Sequence, residues 1–226
     1  MTDSKISKKV FDFLEELSKN NHKDWFEKNK TTFKVHETEV KSFLSNVKER
    51  LEQHDDIEKM KLFRIYRDVR FSKDKTPYKT HFAGSFSRLG AHLRGGYYIH
   101  LQPGGSFLAT GFWAPNKEDL FRIRKELEMD ASDFRKVISD PSFVKIWGQL
   151  QGDAVKKAPK GFDKEHPDID LIKNKQFIFV RKFTDKEVLS PNFVNEVDKS
   201  YQAIRPYFDL MSDILTTNLN GESTLK

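Results

Sequence analysis

One segment of the chain, residues 63–79, combines fixed charge with apolar residues in a way that limits how the chain can fold. It contains six basic residues, two aspartates and two tyrosines. Apolar residues alternate with the charged ones, which favours an extended backbone with one face in the core, and these are Phe63, Ile65, Val69 and Phe71. The arginines between them are then held near a low-dielectric surface, where they need anionic partners. The segment therefore predicts an anion-lined or anion-binding site.

Length and composition favour one folded domain and exclude several kinds of chemistry. A chain of 226 residues can bury a single sizeable core. It has no cysteine, which excludes disulfides, thiolate catalysis and cysteine-based zinc or iron–sulfur sites. No apolar run approaches the ~20 residues of a membrane span, and residues 1–5 lack the apolar core of a secretory signal. No membrane partner is therefore predicted, and the cytoplasm is the predicted location.

The positive charge is concentrated in one part of the chain. Residues 61–100 hold nine basic residues against Asp68 and Asp74, a surplus of seven, whereas the whole chain carries a net charge of +6. The remainder is therefore close to neutral. A nonspecific nucleic-acid coat would spread its charge over helices and tails, so this distribution indicates a localised site.

The first third of the chain is predicted to be helical. Apolar residues recur at helical spacing over 6–17 and again over 33–51, and the pattern breaks at 54–56. Asn21 can cap a short helix between them that contains Trp25 and Phe26. Two amphipathic helices and a short one are therefore expected before the middle of the chain.

The middle of the chain is predicted to form a β-sheet. Apolar residues alternate over 78–86, 97–101 and 107–113, and Pro103-Gly104-Gly105 is a turn signal between the last two segments. These three segments predict an antiparallel meander, with residues 62–67 as a fourth strand.

The last part of the chain is predicted to return to helix. Helices are expected over 116–129, 132–138 and 141–150, followed by a loop and then a buried strand over 176–183. Ser190-Pro191 begins a long helix that Pro206 should kink.

These patterns together predict an α+β fold. It is expected to have a central antiparallel sheet of about four to five strands flanked by N-terminal and C-terminal helices. A single domain is predicted over residues 1–217, followed by a polar, disordered tail over 218–226.

The run Arg64-Ile-Tyr-Arg67-Asp68-Val-Arg70-Phe71, followed by Asp74-Lys75 and Tyr78, resembles the signature of a known family. This is an uncharacterised family of bacterial and fungal proteins, catalogued as domain of unknown function 2461. Residues 21–26, 96–101, 159–162 and 166–167 are also similar to that family, so the resemblance covers nearly the whole chain. It implies a protein of similar length with no established activity, and it assigns no catalytic residue.

Two interpretations of the arginine motif stay open. Its arginines can form a guanidinium site for phosphate or carboxylate, with nearby lysines adding charge. Alternatively, its two aspartates pair with the arginines in a network that only holds a loop. Six cations against two local carboxylates leave a surplus that the second interpretation does not use. Asp68 itself is expected to orient other groups rather than accept a proton, because the arginines beside it lower its pKa.

The histidines and tyrosines of the same region suggest two further chemistries. His81 and His100 lie on adjacent predicted strands and could meet Asp68, but no His-x-x-x-His spacing occurs, so hydrogen-bonded histidines are expected and no metal is predicted. Aromatic residues interleaved with basic ones can stack single-stranded bases, although the chain has no RNA-recognition consensus.

We therefore predict a pocket for a small phosphorylated or carboxylated ligand. The alternatives are a nonenzymatic nucleic-acid-binding module and a purely structural arginine network. Neither a Walker motif, a dinucleotide fingerprint nor a Gly-x-Ser-x-Gly elbow occurs, and the sequence leaves catalytic residues, cofactor and oligomeric state open. The predicted ligand-binding residues are Arg64, Arg67, Asp68, Arg70, Lys75, Tyr78, Lys79, His81, Tyr98 and His100.

Overall fold

Helices precede and follow a five-stranded antiparallel sheet, which confirms the predicted α+β class. The computed structural model describes residues 5–225, so predictions about residues 1–4 and 226 lie outside the described residues. The strands lie side by side in chain order. They are β1 (Ile57–Leu62), β2 (Phe82–Arg88), β3 (Gly96–Leu101), β4 (Ser106–Phe112) and β5 (Phe177–Phe183).

The helices before the sheet follow the predicted periodicity. They are α1 (Lys8–Lys19), α2 (Lys23–Lys28) and α3 (Lys30–Leu51), and each buries its apolar face. The prediction that Asn21 caps α2 is wrong. His22 is the N-cap residue, and its Nδ1 accepts a hydrogen bond from the backbone N–H of Trp25. This leaves the Asn21 side chain available for another partner.

The helices after β4 differ from the prediction in several places. The one expected over 141–150 ends at Trp147, the one expected from Ser190-Pro191 begins at Phe193, and two short helices were not predicted. Pro206 lies in the first turn of a separate helix, where a missing backbone N–H costs nothing, so it ends one helix and begins another instead of kinking a single one. The helices are α4 (Lys117–Met129), α5 (Ser132–Ser139), α6 (Pro141–Trp147), α7 (Ile169–Ile172), α8 (Asp185–Val188), α9 (Phe193–Ala203) and α10 (Arg205–Thr216).

The fourth predicted strand is displaced along the chain. It was expected over 62–67, but β1 ends at Leu62. Beyond it, Tyr66 and Tyr78 form only an isolated antiparallel bridge. The alternation of residues 63–67 is therefore real, but it belongs to a narrow two-stranded extension of the β1–β2 hairpin.

The chain forms two compact units. The first comprises the described residues up to 86 together with 98–108 and 182–199. Its core contains stacked aromatic pairs, with ring centroids 4.0 Å apart for Phe26 and Tyr78 and 5.9 Å apart for Phe33 and Phe82. These pairs connect α2 and α3 with the hairpin, and so fix the hairpin against the helices.

The second unit comprises residues 87–97, 109–181 and the chain from residue 200 onward. Buried Tyr207 lies at its centre, and its hydroxyl donates a 3.0 Å hydrogen bond to the carbonyl of Phe177. Residues 218–225 form a turn in which Thr224 N–H donates to the Thr216 carbonyl at 2.8 Å. The division into a domain over 1–217 and a disordered tail over 218–226 stays a prediction.

Across residues 5–225, no helix combines the length and the apolar character needed to cross a bilayer.

Candidate functional site

The arginine motif lies at the end of the β1–β2 hairpin. Arg67 N–H donates to the Pro77 carbonyl at 2.9 Å, and Lys79 N–H donates to the Ile65 carbonyl at 2.7 Å. The chain between these paired segments, residues 68–76, is the hairpin loop. The motif is thus split between two paired segments and a loop, and it is neither a continuous strand nor a helix.

Arg67 closes the base of the hairpin loop. Its Nη1 donates to Asp74 Oδ2 at 2.5 Å and to the Thr76 carbonyl at 3.1 Å, and it also contacts the Thr76 hydroxyl. Asp74 in turn accepts from the Thr76 backbone N–H at 2.9 Å. That backbone bond and the bonds from Arg67 and the Thr76 hydroxyl lower the pKa of Asp74 to about 2. Arg67 is therefore already paired with a carboxylate.

Three other predicted residues are used within the hairpin loop. Arg70 binds Asp68 through two bonds, from Nε at 2.9 Å and from Nη2 at 2.7 Å, and this pairing lowers the pKa of Asp68. Both side chains are exposed. Lys75 Nζ donates to the Val69 carbonyl at 2.9 Å across the loop. These contacts match what the structural-network interpretation requires.

Phe71 does not pack into the fold. The sequence predicts that it helps to draw the segment into the core, but its side chain is 96 % exposed. The prediction is wrong because regular pairing ends at Arg67 and the chain then turns, with Ser72 N–H donating to the Val69 carbonyl at 3.3 Å. Beyond the paired segments, alternation no longer decides which side chains are buried.

Three cations form a basic patch at the other end of the motif: Lys61, Arg64 and Lys79. The Nζ atoms of Lys61 and Lys79 lie 5.1 and 5.8 Å from the centre of the Phe63 ring. Lys79 Nζ donates to the Arg64 carbonyl at 3.0 Å. Within residues 5–225, no carboxylate forms an ion pair with any of the three. Burial first, and then the charges of Arg64 and Lys61, lower the pKa of Lys79.

An open cleft of about 360 Å³ lies beside this patch in the first unit. Two cations, Arg67 and Lys79, and one carboxylate, Asp74, face it. The cleft is lined by Ser18, Asn21, Arg67, Asp74, Thr76, Tyr78, Lys79, Thr80 and His81. A second cleft of about 230 Å³ shares Ser18 and Thr80 with it.

Asn21 connects the N-terminal helices to the cleft. Its Nδ2 donates to the Tyr78 carbonyl at 2.9 Å, and its Oδ1 accepts from the Tyr78 N–H at 3.1 Å. One side-chain amide thus satisfies both backbone groups of a residue in the extended hairpin. The ring of Tyr78 stacks on Phe26 of α2, so the wall of the cleft is fixed from two sides.

His81 faces the cleft and contacts a second histidine. The ring centroids of His81 and His100 are 4.1 Å apart. Burial, His100 and Lys79 lower the pKa of His81 from its ordinary value of 6.5 to about 4, so the imidazole is neutral at pH 7.

His100 is held by partners on both ring nitrogens. Its Nε2 lies 2.9 Å from Gln102 Oε1 and its Nδ1 lies 3.2 Å from the Tyr98 hydroxyl. With Gln102 accepting, Nε2 carries the proton and Nδ1 accepts from Tyr98. Burial lowers the pKa of His100 and raises that of Tyr98. His100 is therefore held in place with its ring against His81, and both of its ring nitrogens are already hydrogen-bonded, so neither is open to a metal.

No group of three or more histidine, aspartate or glutamate side chains in the described part of the chain could hold a metal ion. Among the described residues, no carboxylate completes a metal-binding group with His81 and His100.

The ten predicted residues fall into three groups. Four line the cleft, namely Arg67, Tyr78, Lys79 and His81. Arg64 lies beside Lys79, and Tyr98 and His100 lie behind His81. Asp68, Arg70 and Lys75 instead bind one another or the loop backbone. The ligand-binding role of all ten stays a prediction.

Sequence reasoning did not place five of the nine cleft-lining residues in the site, and one of them, Asp74, was expected only to pair with an arginine. Thr76 and Thr80 lie within the charge-rich residues 61–100, but nothing in the sequence distinguishes their hydroxyls as binding groups. Asn21 belongs to the stretch 21–26 that is similar to the family, which was the available signal. Ser18 comes from the polar side of α1 and had no signal in the sequence.

The sequence profile of the family described as conserved hypothetical protein (DUF2461) matches residues 9–210. A search of curated proteins and a search of solved structures each found no match to the chain.

Proposed function

We propose that this chain, which belongs to the conserved hypothetical protein family DUF2461, binds a small anionic ligand in the cleft beside Lys79. The ligand class is a phosphate or carboxylate compound. Binding is the function proposed, and no reaction is assigned. The cytoplasm, predicted from the sequence, is the proposed place of action.

The observation that carries the proposal is the basic patch without a carboxylate. The ammonium groups of Lys61 and Lys79 lie over one aromatic ring, and the charges of Lys61 and Arg64 both act on Lys79. No ion pair within residues 5–225 offsets the repulsion among the three. A bound anion would remove the repulsion, and the partly buried setting of Lys79 would strengthen the attraction relative to bulk water.

The cleft also offers uncharged donors. The hydroxyls of Ser18 and Thr80 and the neutral ring of His81 face it beside Lys79. Hydroxyls and an imidazole N–H can satisfy the oxygen atoms of a phosphate or carboxylate that a single ammonium leaves free. Arg67 is assigned to the loop rather than to the ligand, because Asp74 and Thr76 already engage its guanidinium.

A thermal-shift series tests the proposal. The native chain is measured with phosphate, sulfate, sugar phosphates, mononucleotides and dicarboxylates, because a ligand that binds only the folded state raises the melting temperature. We expect at least one small anion to stabilise the chain. Lys79→Met, which keeps the apolar stem of the side chain over Phe63, should abolish that stabilisation.

Lys73→Met is the matched control. Lys73 is an exposed lysine in the same segment that does not line the cleft, so its replacement should leave the thermal shift unchanged. Stabilisation that survives in Lys79→Met, or no response to any small anion, would refute the proposal. If only a short single-stranded RNA bound, with steep loss of affinity in salt, the nucleic-acid alternative would replace it.

A further inference from the structure

The tip of the hairpin loop exposes an apolar ring. The Phe71 side chain is 96 % exposed, and its neighbour Val69 is partly exposed. Solvent reaches both faces of the Phe71 ring. Isolated exposed apolar residues are common in proteins, so exposure alone assigns no role.

Side-chain hydrogen bonds across the loop hold the backbone that carries the ring. Arg67 binds Asp74 and Thr76 at its base, and Lys75 Nζ bridges to the Val69 carbonyl at 2.9 Å. A ring displayed on a fixed loop loses little conformational freedom when it meets a partner, and this favours binding.

The charge around the ring indicates an anionic partner. The loop and its base contain four basic residues and two aspartates, and each aspartate is paired with an arginine. The surplus is Lys73 and Lys75, and neither forms an ion pair within the described chain. The guanidinium of Arg70 lies 6.0 Å from the centre of the Phe71 ring. The exposed ring thus has one guanidinium near it and two lysines without an ion pair in the same loop.

We propose that the hairpin loop docks on an anionic lipid surface, with Phe71 inserted among the headgroups. Arg70, Lys73 and Lys75 would lie at the level of the phosphate groups, where basic residues are attracted to anionic leaflets. An aromatic ring with cations beside it matches the apolar and charged layers of the membrane interface.

The exposure of the ring favours lipid over nucleic acid. A platform for base stacking lies against the protein and offers one face, whereas both faces of the Phe71 ring are open. The sequence-based prediction of no membrane partner rested on the lack of a spanning segment. Contact of one loop with the bilayer surface needs no such segment.

Vesicle cosedimentation of the full chain tests this proposal. We expect binding at low salt to vesicles of phosphatidylcholine with phosphatidylserine, and none to phosphatidylcholine alone. Phe71→Ala should weaken binding about tenfold or more, because the inserted ring supplies the apolar contribution. Lys73→Ala should weaken it severalfold. Phe71→Trp should retain binding and add a vesicle-dependent blue shift of the fluorescence.

Phe121→Ala is the matched control, since Phe121 is also exposed, at 55 %, and lies in the second unit. It should bind vesicles like the native chain. The proposal is overturned if the native chain ignores anionic vesicles, or if Phe71→Ala and Phe121→Ala bind equally well. It is also overturned if Phe71→Ala loses only binding to a short single-stranded RNA.

The two proposals can fail separately. Lys79→Met should lose the thermal shift with the stabilising anion but keep vesicle binding. Phe71→Ala should keep that thermal shift and lose vesicle binding.

Discussion

At the scale of single residues, His81 is the group whose protonation the fold opposes most clearly. Its pKa falls from 6.5 to about 4, so the folded chain binds a proton there less readily than the unfolded chain does. This contribution to stability is complete above pH 6.5 and is lost as the pH falls towards 4. Acid should therefore destabilise the protein through this site.

His81→Asn should reduce that acid sensitivity. Between neutral pH and pH 4, the variant should lose about 2 kcal/mol less of its free energy of unfolding than the native chain loses. Urea unfolding at a series of pH values measures the slope of the free energy of unfolding against pH for the native chain and for the variant. Equal slopes would show that His81 is protonated as easily in the folded chain as in the unfolded one. The burial of His36 and His100 also lowers their pKa values, so part of the slope should remain.

The sequence predicted four of the nine residues that line the cleft, but not their roles. Arg67 and Lys79 are equally basic in the sequence, and only the tertiary positions of Asp74 and Thr76 show that Arg67 is engaged. Asn21 has a similar explanation. Its side-chain amide is hydrogen-bonded to Tyr78, which is 57 residues away in the sequence, and no local sequence pattern could predict that hydrogen bond.

At the scale of secondary structure, Gly111 fixes the approach of β4 to β5. Its φ is +107°, and a Cβ there would lie 2.3 Å from the Phe177 carbonyl oxygen. Gly111→Ala should therefore lower the free energy of unfolding by at least about 3 kcal/mol, since backbone strain and a clash with main chain add together.

Gly104→Ala is the control for the strain alone. Gly104 has φ +68° in the turn before β4, and no atom lies within 4 Å of an added Cβ. Gly104→Ala should lower the free energy of unfolding by about 1 kcal/mol. Chemical denaturation of both variants measures the difference, and similar losses would mean that β5 moves aside without penalty.

Arg67 should act on the whole hairpin loop. Without its bonds to Asp74 and Thr76, Arg67→Ala should loosen residues 68–76 and speed tryptic cleavage after Lys73 and Lys75 severalfold. Arg70→Ala removes only the exposed pair with Asp68, so it should change those rates little. Mass spectrometry of the fragments would follow each cut. Equal rates in the two variants would assign the loop's rigidity to other contacts.

The helices were predictable because periodicity over many residues outweighs local exceptions, as in α1 and α3. Short extended segments were harder to predict from the sequence. Residues 63–67 alternate as a strand does, yet only Tyr66 and Tyr78 bridge there. Pro206 was recognised as a breaker, but whether it kinks a helix or begins a new one depends on how the neighbouring turns pack.

At the scale of the whole molecule, the position of a charge should matter more than the net charge. Lys61→Glu and Lys157→Glu each lower the net charge by the same amount, but only Lys61 belongs to the basic patch. At low salt, Lys61→Glu should weaken binding of the stabilising anion about fivefold or more, and Lys157→Glu should weaken it less than about twofold. Titration calorimetry at two salt concentrations measures both effects. Equal losses of affinity in the two variants would indicate that the net charge of the whole protein, and not the basic patch, attracts the anion.

Asn21 also has a consequence for self-association. Extended backbone with open N–H and C=O groups can recruit a strand from another molecule. At Tyr78 both groups are already occupied by one amide, at 2.9 and 3.1 Å. The side chain thus occupies, at this one residue, the backbone groups to which a foreign strand would bind.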